Sequence, residues 1–217
     1  MKLVYFNVKG LGETSRILLT LAGAEFEDYR YPLQVVDLAS YKFIKTEFDR
    51  DKANGKLVKS QGKVPYLEVD GQVISQSKAI ERYISRRFNL LGDDEISAAR
   101  IDSIGEGIRD IKDLYFKEKR NPDGDLEKWF SEVLPDKLNS LENLLDDETL
   151  FTSDHAVGGK LSYADVLLYS FLREFFDNKE AAGRAEEETT RIKKIVRSLS
   201  ENNVLKRYLA NRPETVL

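Results

Sequence analysis

A chain of 217 residues without a single cysteine forms no disulfide, ligates no metal through thiolate and has no cysteine nucleophile of its own. Any sulfur chemistry must therefore use a substrate's sulfur. The one histidine, His155, is the only residue on which a serine–histidine pair can depend, and a multi-histidine metal site is excluded. Beside Gly158-Gly159 it reads as an ordinary loop residue, and the expected metal set is none. Two short segments suit binding instead. Val64-Pro65 opens a strand, where a trans proline removes a ladder donor and a cis proline reshapes the edge; the sequence leaves both open. A Val64 backbone left unpaired beside a cleft would hydrogen-bond an extended peptide as an added strand does. The alternative is an edge-strand proline with no ligand. Gln76-Ser77 stands where a strand hands over to a helix, and the free N–H groups and positive dipole end of such a start suit a carboxylate. Ser77 as a plain N-cap is the competing reading.

A third segment misleads. Gly10-Leu11-Gly12-Glu13-Thr14-Ser15 lies between a strand and a helix, with Asp28 at about the distance a dinucleotide site requires. Serine replaces the third glycine, and the later β-hairpin and all-helical half do not continue a parallel sheet, so the glycines are assigned to a tight turn. Asn121-Pro122-Asp123-Gly124 is a turn by composition, and Glu186-Glu187-Glu188 reads as a solvated charge run.

These segments need elements to hold them. Leu3 to Asn7 is strand-like, Glu13 to Ala24 carries Ile17, Leu18, Leu21 and Ala22 at helical spacing, and Glu25 to Tyr31 is again extended. A helix is expected over Ser40 to Lys52, burying Tyr41, Ile44 and Phe48. The runs Val64 to Val69 and Gln72 to Ser75 around Asp70-Gly71 are a hairpin signal. From Gln76 to Phe88 onward the pattern turns helical, with helices expected at Asp94 to Lys119, Asp125 to Leu145, Tyr163 to Phe176, Thr190 to Leu199 and Val204 to Ala210. Asn89 to Asp94 is the expected linker. The fold class is thus an α/β first domain (βαβ-αββα, mixed sheet) over residues 1–88 and an all-α second domain over 89–217.

Bulk properties set limits on partners. The formal net charge is -4, which implies no basic surface for nucleic acid. The apolar run at the N-terminus is too short for a secretory leader, and no uncharged apolar stretch approaches the roughly 20 residues of a membrane helix. A cytoplasmic protein with no membrane partner is expected.

Val64-Pro-Tyr-Leu-Glu-Val-Asp-Gly followed by Gln76-Ser77-x-Ala79-Ile80-x-Arg82-Tyr83, ahead of an all-helical half, resembles the cytosolic glutathione transferases over essentially the whole chain. Tyr5-Phe6-Asn7-x-x-Gly10 is similar to the sigma class in particular. The resemblance implies a thioredoxin-like first domain that binds glutathione and a helical domain that contributes a hydrophobic electrophile site. It also implies a homodimer and a reaction with glutathione as co-substrate and no cofactor.

It implies roles for residues as well. Tyr5 matches the tyrosine that donates a hydrogen bond to the glutathione sulfur, with Phe6 beside it on the glutathione side. Val64 would pair its backbone with the cysteinyl part, Gln76 and Ser77 would hold the γ-glutamyl end, and Pro65 would be cis. Phe48-x-x-x-Lys52 resembles the family's aromatic-x-x-x-lysine element, which makes Lys52 and Lys63 candidates near the glycyl carboxylate. Sigma members usually carry tryptophan where Phe48 stands, and the stretch from Ala53 to Gly62 is longer than usual. Asp110 aligns with an acid that reaches glutathione across a dimer, and Val8 and Leu11, with side chains from Asp110 to Phe116, would border the electrophile. Ser162-x-x-Asp165 resembles a capping element of the second domain. Leu11 stands where vertebrate prostaglandin D isomerases, sigma-class relatives, carry arginine. Conjugation is therefore the leading expectation, with that isomerase and a non-catalytic crystallin-like protein as alternatives.

Overall fold

A computed structural model describes residues 1–37, 42–145 and 154–215. Met1–Ile84 together with the C-terminal segment from Arg207 onward forms one compact unit, and Ser85–Lys206 forms a second. The sequence boundary after residue 88 assigns the C-terminal segment to the second unit. It joins the first because Tyr208 and Arg212 both bind Glu13.

In the first unit, β1 (Lys2–Phe6) is central: Leu3 and Val4 are fully buried on opposite faces of the sheet. It pairs in parallel with β2 (Glu27–Tyr31) and antiparallel with β5 (Tyr66–Val69), which continues through a hairpin into β6 (Gln72–Ser75). The sheet is thus mixed, in the order β2-β1-β5-β6. Asp70 and Gly71 both have positive φ, as a tight two-residue hairpin requires. Helix α1 (Glu13–Leu21) crosses between β1 and β2, burying Ile17, Leu18 and Leu19.

Where a helix was expected from Ser40, the chain first forms a separate antiparallel pair, β3 (Gln34–Asp37) with β4 (Lys42–Ile44). Helix α2 occupies only Thr46–Ala53. Ile44 is consequently about half exposed and only Phe48 is buried, while Tyr41 lies outside the described residues. The buried Asp51 on α2 accepts from the hydroxyl of Tyr31 at 3.1 Å and pairs with Lys56 at 2.9 Å, which ties this helix to β2. Helix α3 (Ser77–Arg87) follows β6.

The second unit is helical throughout its described residues. Helix α4 (Glu95–Arg120) is capped by Asp94, which accepts from the Ser97 amide at 2.7 Å, and buries Ile101, Ile104, Ile108, Ile111 and Tyr115 at alternating three- and four-residue spacing. A short α5 (Leu126–Lys128) runs through a π-helical turn into α6 (Leu134–Leu145). Every residue of α7 (Tyr163–Tyr169) is buried, and a second π-helical turn, Ser170–Phe175, extends it. Helix α8 (Lys179–Glu186) was not anticipated; α9 (Arg191–Glu201) and α10 (Asn203–Asn211) were. Glu186 is not part of a solvated run: it is buried and paired with Arg173 at 2.7 Å, while Glu187 and Glu188 are exposed.

Candidate functional site

Tyr5 is the next-to-last residue of β1, with its side chain 8% exposed. A 3-10 turn, Gly10–Gly12, wraps over the ring and brings the backbone N–H of Leu11 within 3.1 Å of the phenol oxygen. The hydroxyl accepts that bond, so its own proton is available to a second partner. Burial pushes the phenol above its ordinary value of 10, against the opposing pull of the Leu11 N–H and the nearby Arg16. The group therefore stays protonated near neutrality and is a donor.

The turn's position depends on a side chain that no sequence motif singles out. Arg16 is fully buried; its guanidinium donates to the carbonyls of Val8 at 2.7 Å and Phe6 at 3.2 Å, and pairs with Asp28 at 3.1 Å and Glu13 at 3.2 Å. Asp28, which tempted a dinucleotide reading, is thus occupied by this arginine. The detectable signal was charge: Glu13 and Arg16 stand at i,i+3 in the turn that leads into the apolar run Ile17-Leu18-Leu19.

Val64–Pro65 is a cis peptide bond, and Pro65 is buried. Pairing of β5 with β1 and β6 begins at Tyr66, and among the described residues no hydrogen bond engages the Val64 backbone. Gln76 has φ +72°, a left-handed conformation that costs a non-glycine residue about 1–3 kcal/mol. It sits at the β6–α3 junction with its carbonyl accepting from the Ile80 amide, while Ser77 opens α3 and is half-buried.

Lys52 and Lys63 are both exposed. A Cβ at Gly62 would stand 3.0 Å from Lys52 Cε and 3.7 Å from Nζ, so the Lys52 stem runs over the residue preceding Lys63. The Lys52 ammonium thereby lies toward the segment that leads into Val64. Phe48 is 5% exposed and buried in an aromatic cluster with Phe6, Tyr31 and Tyr66; Phe6 is half-buried, its ring centroid 5.0 Å from that of Phe48. Phe48 thus serves the packing of this cluster, against which Val64 also packs, and offers no open face.

Val8 is 7% exposed and Leu11 is 60% exposed. Val8 lines a cleft of about 440 Å³ with Asn7, Leu33, Val35, Glu214 and Thr215, all in the first unit. Asp110 is exposed on α4, as are Leu114 and Phe116. His155 is not a free loop residue: its Nδ1 is 3.5 Å from the buried Asp165, and the hydrogen bond to that carboxylate raises its pKa. Among the described residues no cluster of acids and histidine suits a metal ion, and no helix is long and apolar enough to cross a membrane.

Known proteins supply the context for this geometry. The profile described as "Glutathione S-transferase, N-terminal domain" matches residues 1–86, and that described as "Glutathione S-transferase, C-terminal domain" matches residues 109–212. Glutathione S-transferase 1 of Ascaris suum is 31% identical, covering 99% of this chain and 97% of its own length. The hematopoietic prostaglandin D synthase of Gallus gallus is 34% identical, over 76% of this chain and 73% of its own. The solved structure of Na-GST-3, a glutathione S-transferase of Necator americanus described as monomeric, superposes with a TM-score of 0.74 at 28% identity, covering 100% of this chain and 98% of that one. With matches to both domain profiles and near full-length similarity to a named relative, the chain belongs to the glutathione S-transferase family.

Proposed function

We propose that the chain is an enzyme that conjugates the thiolate of reduced glutathione to hydrophobic electrophiles, with Tyr5 as the catalytic residue. The observation that carries this reading is the Tyr5 hydroxyl: buried, fixed by the Leu11 N–H, and left with a proton to donate. A free thiol has a pKa near 8.5, and a hydrogen bond to a charged acceptor is worth about 1.5–3 kcal/mol, or roughly one to two pKa units. That suffices to make the thiolate abundant near neutral pH. Since the protein holds no cysteine, the bound tripeptide is the nucleophile.

Val64 offers an unengaged backbone for the cysteinyl part, Gln76 and Ser77 offer the helix start for the γ-glutamyl end, and Lys52 and Lys63 offer cations for the glycyl carboxylate. Phe6 and Phe48 pack on each other in the cluster that Val64 also joins. Val8, in a cleft that it shares with Leu33 and Val35, and the exposed Leu11 are the apolar side chains offered to the electrophile. Asp110, on the sigma-class likeness, would complete glutathione binding across a homodimer. No metal or cofactor takes part, and the protein would work in the cytoplasm.

The test is conjugation of glutathione to an aryl halide by wild type and by Tyr5→Phe. A loss of roughly 8–25-fold in kcat/KM at pH 7, shrinking toward pH 9, is expected from a thiol shift of that size. Full activity of Tyr5→Phe at neutral pH would sink the mechanism, and a wild type that binds glutathione without conjugating it would favour a binding protein. The Gallus gallus relative keeps a second reading open, glutathione-dependent prostaglandin D isomerisation. Leu11 in place of the arginine of the vertebrate isomerases argues against it, and glutathione-dependent turnover of prostaglandin H2 would reverse that ranking.

A further inference from the structure

We propose that Arg16 is a positioning residue for Tyr5, and that Tyr208 and Arg212 act on the same loop through Glu13, so that the C-terminal segment helps set the acidity of the bound thiol. The proposal rests on Tyr5 donating to the glutathione sulfur. Its own foundation is a chain of buried contacts. Arg16 grips the carbonyls of Phe6 and Val8, the two that flank Asn7 directly after Tyr5. Its guanidinium carbon also lies 5.8 Å from the Tyr5 ring centroid. The loop is therefore held at one end by Arg16 and at the other by the Leu11 N–H on the Tyr5 hydroxyl.

Arg16 is itself held from behind. Glu13 Oε2 accepts from Arg16, while Glu13 Oε1 accepts from the Tyr208 hydroxyl at 2.9 Å and from Arg212 at 2.6 Å. Glu13 is 3% exposed, so a carboxylate there needs these partners: a buried charge is tolerated only when paired and hydrogen-bonded. The charged and titratable groups facing this pair are Tyr5 on β1, Asp28 and Arg30 on β2, and Tyr208 and Arg212 from the C-terminal segment. The guanidinium groups of Arg16, Arg30 and Arg212 stand against the carboxylates of Glu13 and Asp28, with Glu214 lining the cleft beside Asn7 and Val8, so loss of the Arg212 cation makes the field behind the catalytic loop more negative. Positive charge there favours the thiolate. Residues 212 and 13 are 199 positions apart in sequence, so the latch is made only when the chain's last segment docks on its first unit.

The experiment measures kcat/KM against pH for wild type, Arg212→Gln, Arg212→Lys and Tyr208→Phe, with amide hydrogen exchange at Leu11 as a substrate-free readout of the loop. These sites are chosen because replacing the fully buried Arg16 risks the fold itself. Removing the Arg212 charge should move the acid limb upward by roughly half a unit to one unit. Turnover at pH 6.5 then falls about 3–10-fold and stays within about twofold at pH 9. Leu11 should exchange faster, Tyr208→Phe should shift the limb less, and Arg212→Lys should restore it. A lower melting temperature with an unmoved pH profile and unmoved Leu11 exchange would show a purely structural contact and overturn the proposal. If wild type does not conjugate at all, the reading of Tyr5 fails separately; unchanged Leu11 exchange then overturns the latch, and faster exchange upholds it.

Discussion

At Gly12 an added Cβ would stand 2.6 Å from Cδ1 of Tyr5, and at Gly10 it would stand 2.7 Å from the phenol oxygen. Neither separation is sterically tolerable, so these residues are glycine because the Tyr5 ring occupies their space. Gly12 is the cleaner test, since its φ of -90° suits alanine and the cost is purely steric. Gly12→Ala should push the ring off the Leu11 N–H, lower stability by about 1–3 kcal/mol and reduce kcat/KM at pH 7 by about tenfold or more. Gly23→Ala is the control: its φ of +64° makes it strained, but nothing lies within 4 Å, so stability should fall while the rate holds. The sequence marked these glycines only as turn formers, because nothing in a linear pattern reports which ring lies against a backbone. Arg16 escaped notice for a similar reason. A lone arginine on an apolar helix reads as an exposed charge until its partners, Asp28, Glu13 and two carbonyls, are brought together by folding. The expectation for Val64, Pro65, Gln76 and Ser77 rests on their order around one hairpin, and that for Tyr5 on its place near the end of the first strand.

Helix α7 shows how much a single cap holds. One Asp165 carboxylate accepts from the Ser162 amide at 2.7 Å, the Ser162 hydroxyl at 2.6 Å and the Ala156 amide at 2.8 Å, all buried. Asp165→Ala strands these donors, and at about 1–3 kcal/mol for each buried unsatisfied group the loss should reach at least about 3 kcal/mol by urea unfolding. The same carboxylate carries a pH dependence. His155 has its folded pKa raised by Asp165, so its stabilising contribution is complete below the unfolded value of about 6.5 and disappears as pH rises through the higher folded value. His155→Gln should therefore destabilise at pH 5.5, by no more than about 1 kcal/mol given its partial exposure, and leave stability at pH 8.5 unchanged. The S-x-x-D pattern made this cap readable in advance. Less readable was the β3–β4 pair, where Val35 stands opposite Phe43 and Gln34 opposite Ile44. Short apolar runs do not distinguish strand from helix by periodicity, and only cross-strand pairing decides. Helix α8 had a signal in Asn178, whose side chain caps the Ala181 amide at 3.0 Å, but its buried face is mostly alanine and gives little contrast.

For the whole molecule, binding and chemistry should separate. Of the proposed glutathione contacts, Val64, Gln76, Ser77, Lys52 and Lys63 lie in the first unit and only Asp110 in the second. Glutathione at about 100 times its Kd stabilises the state that binds it by about 2.7 kcal/mol. For a chain of this size that amounts to roughly 5–10 °C in the melting transition that contains the first unit. Tyr5→Phe should keep most of this shift, because the backbone and helix-start contacts remain, while losing rate. That pattern identifies an interaction made mainly as the thiolate forms. Asp110→Ala gives the complementary result if a second subunit completes the site: a smaller shift than wild type at equal glutathione, and a shift that depends on protein concentration through the dimer. An Asp110→Ala shift equal to wild type, with a monomeric mass in sedimentation, would assign the whole of glutathione binding to one chain. The first unit would then suffice for recognition, and the helical unit would be left to act on the electrophile alone.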